Sequence, residues 1–175
     1  MRLGGRSSAS RPVRTGRLVL RPVGFADLPE LTALKADPRV FAIMLGGVRT
    51  PERTAEELAE EIRFWGQHGV GLWSVRARES GAFLGIAGVM ERSDGLGLAL
   101  RFALWPEMRG QGLAREAAGA VLRYAHDVAR IPRIVAVARE DNFASRTVLG
   151  GIGMTERGRF TRDGHTMLVY ESRAR

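Results

Sequence analysis

Along this chain, apolar positions follow two spacings, and the places where one gives way to the other predict the elements. Leu113, Ala117, Val121, Tyr124 and Val128 recur every three or four residues, which predicts a helix over 112–130 that Ile131-Pro132 ends. Ala55, Leu58, Ile62 and Trp65 make a second such stripe, with Trp65 as core packing. Its start is Thr50-Pro51, a cap residue followed by proline in the first turn, and Gly66 or Gly69 closes it. A shorter helix carries Leu28, Leu31 and Leu34, with Asp27 and Glu30 as a capping box and Asp37-Pro38 as its stop. Another runs from Asp141 or Asn142 through Leu149 and breaks at Gly150-Gly151.

The remaining apolar runs are strand-like. Residues 17–23 alternate and end near Pro22. Residues 72–77, 83–91 and 96–105 are separated by Glu79-Ser80-Gly81 and Ser93-Asp94-Gly95, and connections that short predict an antiparallel meander. Residues 134–138 are wholly apolar, as a central buried strand is. Residues 154–161 and 166–172 form a closing hairpin around Asp163-Gly164, whereas Val40 to Val48 reads as an irregular loop. The pattern contains neither an internal repeat nor a second domain.

Composition sharpens this picture in three places. Residues 1–16 mix Gly, Ser, Arg and Pro without periodicity, which predicts a flexible basic tail ahead of a single domain over 17–175. No apolar run is long enough for a bilayer span and no secretory core follows the start, so the expected location is cytoplasmic. The chain has no cysteine, which excludes a disulfide framework, a thiol nucleophile and thiolate metal sites. Net charge is +8, and half of it sits in residues 1–16 as Arg2, Arg6, Arg11 and Arg14. A basic body of this kind suits nucleic acid or a multiply anionic small molecule.

The chemistry centres on Arg109-Gly110-Gln111-Gly112-Leu113-Ala114, between a strand and the clearest helix. Two glycines let backbone N–H groups approach an anion, and the helix turns the positive end of its dipole to the same place. A phosphate or pyrophosphate fits; an ordinary glycine-rich turn capping a core helix is the other reading. The run matches neither the dinucleotide fingerprint nor the lysine-bearing P-loop. His68, His126 and His165 are far apart and lack ligand spacing, so no metal is expected, and no nucleophile elbow is present.

These residues resemble the GNAT acetyltransferase superfamily, and most of all its RimJ/RimL-like branch of ribosomal-protein N-terminal acetyltransferases. The resemblance runs from about Arg17 to Glu171. It rests on Arg17-Leu18-Val19-Leu20-Arg21-Pro22, on Gly71-Leu72-Trp73-Ser74-Val75 with Phe83-Leu84-Gly85, and above all on Trp105 to Ala114, the R/Q-x-x-G-x-G/A signature. Asn142 to Leu149 matches the N-x-x-S helix that follows it in the family.

The implied architecture is α/β (α+β): the GNAT fold, with a mixed, mostly antiparallel sheet of about six or seven strands, splayed between the fourth and fifth and flanked by about four helices. The implied activity is acetyl transfer from acetyl-CoA to a primary amine, a protein N-terminus or a small-molecule amine, by direct attack in a ternary complex. By the same resemblance, amides of Arg109, Gly110, Gln111, Gly112, Leu113 and Ala114 hold the pyrophosphate. Backbone of Phe102, Ala103 and Leu104, freed after a bulge, pairs with the pantetheine arm, and Asn142 contacts pantetheine or departing CoA.

Ser145 stands where this branch faces the CoA sulfur; its alternative is a first-turn serine bonded to its own helix. Acids of relatives are missing, with Ala99 and Val137 in their places, which leaves Glu91 as the remaining acid for a general base and a solvated hairpin residue as its alternative. Water relays can also deprotonate an α-amine, whose pKa lies near 8. Two other classes stay open: a non-catalytic acyl-CoA-binding relative and an RNA- or ribosome-associated binding module. Against the latter, no strand offers an aromatic stacking platform and half the net charge sits in residues 1–16, so nucleic acid is not an expected partner. The acceptor's identity and the oligomeric state, a homodimer included, are open as well. The acceptor groove is expected between residues 40–50 and the closing hairpin.

Overall fold

A computed structural model describes residues 12–175. Eight strands form one sheet. In chain order these are β1 (Val13–Arg14), β2 (Leu18–Pro22), β3 (Leu72–Ala77), β4 (Phe83–Glu91), β5 (Leu98–Leu104), β6 (Arg133–Arg139), β7 (Thr155–Arg162) and β8 (His165–Arg173). The helices are α1 (Leu28–Ala36), α2 (Pro38–Phe41), α3 (Pro51–His68), α4 (Leu113–Arg123) and α5 (Phe143–Gly151). Across the sheet the order is β1-β2-β3-β4-β5-β6-β8-β7. Every neighbouring pair is antiparallel except β5 and β6, which run parallel. The meander and the closing hairpin therefore stand as the turn residues predict.

Both long helices follow most of their apolar stripes, but Thr54, Glu61 and Phe64 join Leu58 and Trp65 on the buried face of α3, and Val128, the last of the predicted 112–130 stripe, is exposed. The Thr50 side chain accepts from the Arg53 amide, which caps α3, and Gly69 closes that helix in the left-handed conformation. Trp65 is buried, donates from Nε1 to the Leu72 carbonyl at 2.7 Å, and meets the Trp73 ring edge-on at 4.6 Å. The helix predicted over 112–130 is regular only to Arg123. Tyr124–Val128 then widens into a π-helical turn, fastened by His126, which contacts the Ile131 carbonyl and the Ser172 hydroxyl at 2.7 and 2.9 Å.

Three local expectations are corrected. Asp27 and Glu30 do not form a capping box for α1: Asp27 instead accepts from the Gly24 amide, and both acids bind the Arg76 guanidinium, at 2.8 and 2.7 Å. A buried arginine on a neighbouring strand outcompetes the local cap because it needs two carboxylates. The irregular loop at 40–48 begins as a helix, since Asp37 accepts from the Arg39 amide and Pro38 opens α2 rather than only ending α1. The predicted tail also ends early. Val13 and Arg14 pair with Leu20 and Val19, and Thr15 bonds the Glu116 carboxylate. Residues 1–11 of that expectation lie outside the described residues.

Candidate donor site and active centre

Because β5 and β6 are parallel, the helices that follow them begin at the same edge of the sheet. The two strands register at a single pair, Ala99 with Val135, and then diverge. Beyond that point the β6-facing side of Phe102–Leu104 carries no partner strand among the described residues. The expected bulge is absent from the other side: β5 keeps an unbroken register with β4 from Leu98–Glu91 to Leu104–Gly85. The opening comes from divergence alone, and it widens toward the starts of α4 and α5.

At the α4 side of this opening, Pro106–Met108 makes one tight turn and Gly110 and Gly112 adopt φ of 75° and 78°. Left-handed backbone at both positions is what points consecutive amides one way. Among the described residues no acceptor takes the N–H groups of Gly110, Gln111, Gly112, Leu113 or Ala114, and no side chain caps α4. Five unsatisfied donors at a helix N-terminus form an anion cradle.

Arg17, which motif spacing does not mark as a site residue, braces it. Its Nη1 donates to the Gln111 carbonyl at 2.8 Å, its Nε binds Glu116 at 2.8 Å, and Nη2 lies 3.5 Å from where a Gly112 Cβ would stand. Burial pushes the Glu116 carboxyl up, but the Thr15 hydroxyl and the Arg17 amide and guanidinium outweigh it and hold the carboxyl below its ordinary value. Arg109 is the exception to the expected set of amides: its N–H already donates to the Pro106 carbonyl at 3.1 Å, and its side chain donates to the Arg39 carbonyl at 3.0 Å and ties the loop to α2.

At the α5 side, Asn142 Oδ1 accepts from the Ser145 amide at 3.2 Å and caps the helix. That leaves the Asn142 Nδ2 and the Ser145 hydroxyl without protein partners among the described residues, and both residues are half-buried. Ser145 therefore does not spend its hydroxyl on its own helix. Glu91 is not brought to this group. It is exposed and opposite Leu98, at the end of β4 where β5 and β6 still meet, roughly 13 Å along the strand from Phe102.

Sequence reading missed a buried charge cluster behind β5. Lys35 of α1 is fully buried and binds Glu57 at 3.0 Å and Glu61 at 3.2 Å, both from α3. Arg49 closes on Glu57 at 2.7 Å, and Arg101 of β5 reaches Glu61 at 3.4 Å. Glu61 Oε2 and Arg101 Nε are buried with no hydrogen-bond partner. The available signal was the chain's one lysine, Lys35, one helical turn after Leu31 and so on the apolar face of α1, with two glutamates a helical turn apart on α3. The cluster also anchors residues 45–50, which line an open cavity of about 370 Å³ bounded by Leu45, Val48, Arg49, Arg53 and Glu57. Among the described residues no three His, Asp or Glu side chains gather as a metal site would require.

Residues 17–155 match the family model described as acetyltransferase (GNAT) domain. The chain belongs to the GNAT acetyltransferase family. Solved structures agree across nearly the full length. An acetyltransferase from Agrobacterium tumefaciens is 28% identical with a TM-score of 0.80, over 93% of this chain and 94% of that one. RimL, a ribosomal alpha-N-protein acetyltransferase solved with coenzyme A, is 19% identical with a TM-score of 0.76, over 94% and 98%. A ribosomal-protein-alanine acetyltransferase from Vibrio fischeri is 15% identical with a TM-score of 0.78, over 93% and 96%. The GNAT membership and the mixed, splayed GNAT sheet are thus borne out, and the RimL-type structures share that fold; the sheet has one more strand than predicted, the two-residue β1.

Proposed function

We propose that this protein transfers the acetyl group of acetyl-CoA to a primary amine, by direct attack within a ternary complex. The observation that carries the reading is the coincidence, at one sheet edge, of unpaired β5 backbone, five free loop amides and a free Ser145 hydroxyl. The loop amides and the α4 dipole suit the pyrophosphate of the donor. Backbone of Phe102–Leu104 suits the amide-rich pantetheine arm, which takes the place of the missing strand, and the Asn142 Nδ2 is free to donate to it.

In this reaction the neutral amine nitrogen attacks the thioester carbonyl carbon, the C–S bond breaks, and the nitrogen loses its extra proton to water. The departing thiolate takes a proton from the Ser145 hydroxyl, which water then restores. A backbone N–H aimed at the developing oxyanion can contribute about 3 kcal/mol. Positioning the two substrates supplies much of the rest. Acids stand at neither position 99 nor 137, and Glu91 is remote from the opening, so deprotonation of the acceptor falls to solvent in this scheme.

The cavity at residues 45–50 and the exposed Ile43, Leu45 and Val48 form an acceptor wall of mixed apolar and charged character, against which a protein N-terminus or a small-molecule amine can lie. The test is two-substrate kinetics with acetyl-CoA against a panel of peptides and small amines. Product acetylated at nitrogen, with intersecting reciprocal plots, supports the reading. Parallel plots, which report an acetyl-enzyme, or an absence of turnover with intact acetyl-CoA binding, refute it.

A further inference from the structure

Along the outer flank of α4, a groove of about 1100 Å³ runs from Gly112 to the far end of the helix, walled by the end of α5 and the starts of β7 and the final strand residues. Arg115, Arg123, Arg130 and Arg157 line it, are exposed, and pair with no carboxylate among the described residues. Two of its acids are already engaged: Glu116 by Arg17, and Glu171 by Arg133 and Arg173. Among the described residues, Asp127 is the one remaining carboxylate side chain in the groove.

The four arginines reach the groove from different elements: Arg115 and Arg123 lie on α4, Arg130 follows the π-helical turn in left-handed backbone at φ 58°, and Arg157 lies on β7. Two of them lie back against glycine, Arg115 with Nε 3.2 Å from a virtual Gly151 Cβ and Arg123 with Nη1 3.3 Å from that of Gly119. Those glycines keep the floor low and the guanidiniums in the groove. An anion held at Gly112 by the helix dipole is felt only in the first turn, so Arg123 and Arg130 have a purpose the donor site does not supply.

We propose that this groove binds single-stranded RNA through its phosphate backbone. A chain of phosphates is the charge complement of a groove lined by unpaired guanidiniums, whose planar forks take phosphate oxygens two at a time. Among the described residues no Phe, Tyr or Trp lines the groove, and His126 spends both ring nitrogens on Ile131 and Ser172. Base stacking is therefore not offered, and binding is independent of sequence.

Fluorescence anisotropy of labelled oligouridine with the full chain tests this, across a salt titration. The double variant Arg123→Gln/Arg130→Gln should bind at least tenfold more weakly and flatten the slope of log K against log salt by about 1.4, while its acetyl-CoA affinity stays unchanged. A charge-matched control, Arg21→Gln/Arg63→Gln, should bind RNA nearly as wild type does. Four results overturn the proposal: no binding to wild type; equal loss in the control, which reports net charge only; saturating CoA reducing wild type to the level of the groove variant, which assigns the groove to the donor; and polyglutamate of equal charge binding as tightly, which assigns it to an acidic protein.

Discussion

Replacing Lys35 with alanine tests the buried cluster that holds residues 45–50 against α3. The lysine side chain is fully buried, Glu61 retains 2% exposure and Glu57 12%. Removing the shared cation strands two carboxylates in a low-dielectric interior, and breaking a buried pair in this way costs about 3–5 kcal/mol. Arg49 at 2.7 Å still serves Glu57, whereas Glu61 keeps only Arg101 at 3.4 Å, which places the expected loss near the lower end, about 3–4 kcal/mol. For a chain of this size that lowers Tm by roughly 6–16 °C. Urea unfolding at neutral pH is the assay, with Lys35→Met as a companion that keeps the aliphatic stem. If charge is the cause, Lys35→Met loses nearly as much, and adding Glu61→Gln to it restores part of the loss. Stability of Lys35→Ala within about 1 kcal/mol of wild type would refute the reasoning, because surface-like substitutions have effects of that size or less.

Three further outcomes are expected. Ser145→Ala should lower kcat by about a hundredfold with acetyl-CoA affinity nearly intact, since the hydroxyl acts mainly as charge develops on sulfur; wild-type kcat under chemistry-limited conditions would remove it from the mechanism. Glu91→Gln should leave the pH–rate profile unchanged, with the rate following deprotonation of the acceptor, and a lost acid limb would instead make Glu91 a base. Glu116 is held below the unfolded value of 4.5, so its contribution to stability is full above that pH and is lost as pH falls through the lower folded value. Urea midpoints of Glu116→Gln should accordingly lie below wild type at neutral pH and converge with it in acid, and a constant gap would contradict this.

Much of the fold was legible because burial writes a period. The stripes of α3 and α4 and the turn residues of the meander carry their own structure, and Trp105 to Ala114 carries both a turn and a ligand chemistry. β1 was invisible because Val13–Arg14 joins the sheet by backbone pairing and needs no alternation. The same limit hid the use of Asp27 and Glu30: a local cap and a distant arginine want the same side chains, and only packing decides between them. Arg17 and Glu116 stand far apart in sequence, as do Lys35, Glu61 and Arg101, so their convergence appears only when the sheet is assembled. Glu91 shows the converse. It looked available because it was the remaining acid, and the β4–β5 register puts it at the closed end.

The claim that the Arg109–Ala114 loop holds the donor's pyrophosphate is tested most directly by calorimetric titration of acetyl-CoA into wild type and Gly112→Asp. At Gly112, φ 78° strains any side chain, and the Arg17 guanidinium lies 3.5 Å from its virtual Cβ, so Gly112→Ala is the control that shares the strain while aspartate adds a like charge to the cradle. The account predicts binding weakened by tenfold or more, about 1.4 kcal/mol. Unchanged affinity in a folded variant would contradict it.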